Sequence, residues 1–302
     1  MVDRQNGFGT GVIYVLLATL GWSLSGLFVR WMPNLTGWQI NSWRGLWMAI
    51  ALLVYLIILY GPELGSKFRS VPLNVMIFSA ICFAMGTTFY VTSLTLVSTA
   101  TVAIIGATSP LFAGLLSPWL TGEKPGTTAW ISAFLALGGM VVIAQSGIET
   151  GQSAGLLLCL GVPIMFALQT LLLRRYREVD MMPAICVGGF LTFIVAGSMS
   201  FFSGVGYSAV DIDLHSMLLL ALMGPLQLAI PLVFYGMGAR VVPGITLALI
   251  AMLDAVINPF WPWLFMGEIP ERASFIGGSI ILAAVFLSVL GSQINPSPKV
   301  FA

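Results

Sequence analysis

The chain has 302 residues, of which 58% are hydrophobic and 8% charged, with a net charge of +1 and a mean hydropathy of +1.00. A soluble globular chain carries about 25% charged residues, so this one cannot cover its own surface with polar groups, and lipid must cover it. The near-zero net charge argues against a nucleic-acid or acidic macromolecular partner.

A helix needs roughly 20 apolar residues to cross the hydrocarbon core. Ten such runs follow one another, at 9–30, 38–60, 72–93, 98–120, 127–146, 153–174, 182–203, 214–236, 242–265 and 273–293. The first run extends well past a signal-peptide core without a small-x-small cleavage site, and reads as a retained helix. Gly and Pro mark the joints: Pro33-Asn34, Gly61-Pro62, Gly122-Glu123-Lys124-Pro125, Gly147 to Gly151, Gly204 to Gly206 and Gly267 to Pro270. No ten-residue alternation of period two is present, which argues against a barrel.

Residues that hydrocarbon penalises are candidates for function. In chain order, the first span offers Trp22, Ser25 and Gly26, and the second holds Arg44. Met85, Thr88, Phe89 and Thr92 form one helical stripe on the third, and Pro110 and Pro118 interrupt the fourth. The sixth carries Pro163, Phe166, Gln169 and Thr170; the eighth carries Pro225, Gln227, Pro231, Phe234 and Tyr235. Asp254 and Asn258 share a face of the ninth, ahead of Pro259 and Pro262. Two readings stay open for Asp254 and Asn258: contact with a substrate ammonium or a coupling proton, and a structural hydrogen bond to a neighbouring helix. Arg44 is a functional candidate on the same ground, or a long side chain near a helix end that snorkels to the interface. The aromatic residues and amides together would form a pocket suited to a flat apolar side chain on an amino acid head.

Cys82, Cys159 and Cys186 all fall inside apolar spans, which indicates buried thiols and neither a disulfide framework nor a metal site. His215 is the single histidine and begins the eighth span, so it reads as interfacial and solvated. Trp31, Trp38, Trp119, Trp261 and Trp263 lie near span ends and read as an interfacial belt.

The chain also repeats itself. Shifted by 145 residues without gaps, Phe89-Tyr90 falls on Phe234-Tyr235, Thr101 on Thr246, Ala103 on Ala248, and Gly122-Glu123-x-Pro125 on Gly267-Glu268-x-Pro270. With an N-terminus in the cytoplasm, that side holds Arg4, Lys67, Arg69, Lys124, Arg174, Arg175, Arg177, Arg240 and Lys299, against Arg30 and Arg272 opposite. The positive-inside rule therefore puts both termini in the cytoplasm. Five spans per half invert the second half, the architecture of alternating-access transporters. The fold expected is an all-α polytopic membrane protein of ten transmembrane helices, in two five-helix inverted repeats at 1–147 and 148–302. Paired prolines in the fourth and ninth spans, Pro110 and Pro118 against Pro259 and Pro262, suggest hinges there. Glu123 and Glu268 then lie at opposite faces and cannot form a dyad; each is expected to act locally on the helix it precedes.

Ten helices in two units, each ending its fourth helix in Gly-Glu-x-Pro, resemble the EamA-type transporters of the drug/metabolite transporter superfamily. The aromatic, Met-rich character looks most like the bacterial aromatic amino acid exporters. The first span lacks the embedded glutamate of the four-helix multidrug members, which counts against a drug–proton antiport of that kind. The resemblance implies a multi-pass protein of the bacterial inner membrane that exports small organic metabolites, with no cofactor and no metal. It also favours a structural or gating role for Arg44, since the family commonly has an Arg early in this helix. A passive facilitator and a lipid flippase stay open beside it. An intramembrane enzyme is disfavoured by the lone histidine and the lack of HExxH or of an embedded carboxylate pair.

Overall fold

The computed structural model describes residues 2–96, 102, 105–144, 153–202, 212–258, 260–267 and 272–294. The expected features at Thr101, Ala103, Pro259, Glu268 and Pro270 lie outside these. Among the described residues the long elements are α1 (Val2–Ser23), α2 (Ser25–Arg30), α3 (Gly37–Tyr60), α4 (Leu64–Ser70), α5 (Leu73–Leu96), α6 (Ser109–Leu120), α7 (Thr127–Ala144) and α8 (Ser153–Arg175). The second half continues with α9 (Met182–Phe202), α10 (Leu214–Met223), a π-helical turn Gly224–Ala229, α11 (Ile230–Ala239), α12 (Gly244–Ala251), α13 (Leu253–Ile257), α14 (Phe260–Met266) and α15 (Arg272–Ile294).

Six helical stretches are long and apolar enough to cross a membrane, and shorter apolar helices cover 127–142, 244–257 and 275–291. The outward surface of the bundle is apolar: Ile58 is 80% exposed, Phe202 81% and Trp119 of α6 78%. That surface is stable only in hydrocarbon, and the protein is a multi-pass membrane protein. Helix ends are fixed by local chemistry. Thr36 and Gln39 form a reciprocal capping box at the start of α3, and Asp213 accepts the Ser216 N–H at the start of α10. Those Ser216 hydrogen bonds hold the exposed Asp213 carboxyl below its ordinary pKa.

In lipid, apolar burial does not drive helix pairing, so the bundle is assembled by close packing of small residues. α3 crosses α9 where Gly45 faces the carbonyl of Gly189, flanked by hydrogen bonds from Ser42 to the Phe193 carbonyl and from the Cys186 thiol to the Ala49 carbonyl. α7 meets α15 at Gly139, and α1 meets α11 where Gly21 admits Pro231. α5 lies along α8, α1 along α11, and α6 meets α12. The π turn packs on α3 through Gly224, where an added Cβ would lie 2.6 Å from the Met48 backbone nitrogen. Gly224→Ala is therefore expected to cost about 1–3 kcal/mol. Gly138→Ala, which meets nothing within 4 Å, is expected to be neutral or stabilising by up to about 1 kcal/mol. Unfolding of the two variants in SDS checks the contrast.

The helix breaks do not simply follow the prolines. Pro110 sits in the first turn of α6, after a turn at Ala107–Thr108, and Pro118 and Pro163 lie inside unbroken helices. Two breaks occur without a proline, at Leu24 between α1 and α2 and at Met252 between α12 and α13.

The glycines of the duplicated Gly-Glu pairs share a backbone conformation: Gly122 and Gly267 both have φ of 71°. This left-handed geometry ends a helix and favours glycine. Beyond Gly122, Glu123 departs from its expected local role. Its carboxylate turns inward, bonding Arg174 Nε at 2.6 Å and the Gly244 N–H at 3.2 Å. It does act on a helix N-terminus, but on that of α12, in the other half of the chain. In a low-dielectric interior, a buried guanidinium and a free N–H outcompete the helix start at Thr127.

Candidate functional site

Two interrupted helices meet at the centre. The α1–α2 break at Leu24 faces the joint between α13 and α14: Asn258 Nδ2 donates to Ser25 Oγ at 3.4 Å, and Trp261 Nε1 donates to Ser23 Oγ at 2.7 Å. Trp261 is thus turned inward, away from the interfacial belt expected of it. An added Cβ on Gly26 would overlap the Asn258 amide, so Gly26 is what lets the helices approach. Lower down, the Thr19 hydroxyl points at the Ile250 carbonyl at 3.4 Å. Pairing of 19 with 250 and of 25 with 258 means the two helices run parallel. Asp254 therefore stands at the level of Trp22.

Trp22 belongs to an aromatic trio. Its ring centroid lies 5.0 Å from that of Tyr235 and 6.2 Å from that of Phe166, and the latter two are 6.0 Å apart. Tyr235 is buried and fixed by a 2.8 Å hydrogen bond between its hydroxyl and Thr170. Gln227 comes from the π turn, donates to the Trp22 carbonyl at 3.4 Å and leaves its own Oε1 buried without a partner. Pro231, one turn on, seats α11 against Gly21.

Several buried polar atoms in this part of the bundle lack partners. Asp254 is half-buried, and its Oδ1 has no hydrogen-bond partner. The Arg44 Nη2 donates to Asn41 Oδ1 at 2.7 Å, one turn back along α3, while its Nε is buried and unpartnered. Tyr90 lies within electrostatic reach of both Asp254 and Arg44 and keeps 42% of its surface accessible. Its neighbour Val91 packs on Gly37 at the start of α3, the end toward which Arg44 folds. Buried polar atoms are ordinarily satisfied, and clusters of orphans mark places where water or a ligand belongs.

The remaining sequence candidates are dispersed. Gln169 is engaged with Ser79 of α5, at 3.0 Å. Phe89 lies against Gly161 of α8, and Met85 is 36% exposed. Thr92 bonds back to the Thr88 carbonyl at 2.9 Å; Thr88 is buried with its own hydroxyl unpartnered. Tyr90 was not singled out in the sequence, although its 145-residue register mate, Tyr235, was. The doubled Phe-Tyr pair was the available signal.

This geometry can be set beside known proteins. Residues 9–145 match the EamA-like transporter family. The Uncharacterized transporter YdfC of Bacillus subtilis (strain 168) is 24% identical over 210 residues, which span 68% of this chain and just 66% of that relative. A crystal structure of a protein with 16% identity superposes with a TM-score of 0.82, over 95% of this chain and 98% of the other, and shares its fold. The family matched over this first half is one of transporters.

Proposed function

We propose that the protein is a ten-helix, inverted-repeat carrier of the bacterial inner membrane, exporting amino acids with aromatic or other apolar side chains by alternating access. The observation that carries this reading is the Trp22–Phe166–Tyr235 trio with the unpaired Asp254 Oδ1 at the level of Trp22, and Tyr90 within electrostatic reach of both Asp254 and Arg44. The trio offers an apolar slot for a flat side chain. Asp254 suits an ammonium and Arg44 a carboxylate, each by a charge-assisted hydrogen bond. Tyr90, within electrostatic reach of both, offers its hydroxyl as a further polar contact.

The inverted repeat is supported by the matching left-handed glycines, Gly122 and Gly267, and by helix partners that interchange between halves. In the expected order of spans, α5 on α8 pairs the third with the sixth, and α1 on α11 pairs the first with the eighth. The breaks at Leu24 and Met252, with the Pro110 turn, supply joints about which the halves rock. Asp254 is the group best situated to couple transport to a proton gradient.

The test is uptake of radiolabelled phenylalanine, tyrosine and tryptophan into proteoliposomes, with and without a pH gradient. Saturable, gradient-stimulated uptake of these over charged amino acids is expected, with a large loss in Trp22→Ala. Gradient-independent uptake that never accumulates would replace the coupled carrier by a facilitator. Absence of uptake of any amino acid by folded protein would overturn the substrate assignment.

A further inference from the structure

A cavity lies away from the central site, near the arginine-rich end of the bundle. It has a volume of about 260 Å³ and lies between the last turns of α3, the α8–α9 connection and the last turns of α11. Its opening is cationic. Arg240 is exposed, and its guanidinium has no ion-pair partner among the described residues. Arg177 is 31% exposed and only loosely paired, at 3.5 Å, with Glu178, itself 89% exposed. Lys67 lies over the Tyr60 ring at 5.0 Å. The carboxylate in the lining, Asp180, is already occupied: Oδ2 accepts from the Tyr60 hydroxyl at 2.8 Å and Oδ1 from the Met182 N–H at 3.0 Å.

The interior of this cavity is apolar, formed by Leu59, Val233, Met237 and their neighbours. Gly236 keeps it open, since a Cβ there would lie 2.6 Å from Met182 Cε. The wall continues upward along α11 and the π turn through Ile230 and Leu226, 47% and 45% exposed. α3 and the π turn close on each other at Gly224. Below that contact the two helices leave a crevice that opens to the hydrocarbon on its side and to a cationic rim at its foot.

We propose that this crevice binds an anionic phospholipid, its phosphate between Arg177 and Arg240 and an acyl chain along Val233, Ile230 and Leu226. Charge and polarity both select this occupant. Basic pockets between helix ends hold acidic headgroups, each cation near the surface contributing about a fivefold gain in binding. The aromatic residues Tyr55 and Tyr60 mark the interfacial depth at which a headgroup sits. A water-soluble anion would use the rim but gain nothing from the apolar wall. The bound lipid would wedge α3 apart from α11, one helix from each half of the chain.

The test is native mass spectrometry of detergent-purified full-length protein titrated with phosphatidylglycerol or phosphatidylcholine, with thermal unfolding in bilayers of each lipid. Wild type is expected to retain phosphatidylglycerol selectively and to melt higher in it. Arg177→Gln/Arg240→Gln is expected to weaken that binding about 25-fold and to abolish the melting difference. Arg69→Gln removes an exposed charge outside the cavity lining and is expected to change neither. Val233→Trp fills the crevice without altering charge and is expected to reduce lipid retention as well. Equal weakening by Arg69→Gln would show diffuse surface charge and overturn the site. Undiminished binding in the double variant, or displacement of the lipid by inorganic phosphate alone, would overturn it too.

Discussion

Arg174→Ala is expected to be the most destabilising single substitution among those considered, at about 3–5 kcal/mol, the usual cost of stranding one partner of a buried ion pair. Arg174 and Glu123 are 7% and 3% exposed. Beyond the 2.6 Å contact between them, Arg174 Nη1 donates to the Ala239 carbonyl at 3.2 Å and Glu123 Oε2 accepts from the Gly244 N–H. The cluster thus ties the turn after α6 to the end of α8 and to both sides of the α11–α12 joint. Removing the guanidinium strands a carboxylate and a carbonyl at once. Glu123→Gln keeps a hydrogen-bonding group but strands the cation, so a loss of similar size is expected. Replacing both by apolar residues of similar volume, Glu123→Leu/Arg174→Met, is expected to recover much of it, because the desolvation cost of both charges disappears. A double-mutant cycle in SDS unfolding measures the coupling. Single variants within about 1 kcal/mol of wild type would mean that the pair behaves as a solvated surface bridge.

The membrane character and the boundaries of most helices were legible because they depend on composition, which hydrocarbon constrains residue by residue. Which face of each helix looks inward was not legible. In a soluble helix the polar face reveals the orientation, but here lipid and protein interior are equally apolar. Hence the stripe Met85–Thr88–Phe89–Thr92 read as one surface, whereas Phe89 packs against Gly161 and Met85 is partly exposed. Gln169 stood out because hydrocarbon penalises an amide; the penalty is met by Ser79, ninety residues away in sequence. The break at Leu24 lacks any proline signal. It is maintained by tertiary contacts of Ser23 and Ser25 with Trp261 and Asn258. Glu123 was misread for a related reason: its nearest helix start was visible in sequence, but its partner Arg174 was not.

Asp254→Asn is expected to reduce amino acid uptake roughly 10- to 100-fold, the span given by losing one hydrogen bond to a charged group, about 1.5–3 kcal/mol. Asp254 differs from its neighbour Asn258 in what it already bonds. Asn258 is already used in the contact with Ser25 and Gly26, so Asn258→Ala should lower stability and affect uptake of every substrate alike. Asp254 Oδ1 has no such employment, so its replacement should leave folding nearly intact and act on substrates by their charge. Competition against phenylalanine uptake resolves this. Phenethylamine, which lacks the carboxylate, should lose potency in Asp254→Asn and retain it in Arg44→Gln. 3-Phenylpropionate, which lacks the ammonium, should show the reverse. If both variants weakened the two competitors equally, Asp254 and Arg44 would be holding the helices rather than the substrate. Loss of the pH-gradient stimulation in Asp254→Asn, with residual uptake preserved, would identify the same carboxylate as the group that carries the proton. Loss of ammonium selectivity with stimulation intact would separate substrate binding from coupling, and coupling would then have to be sought at a residue other than Asp254.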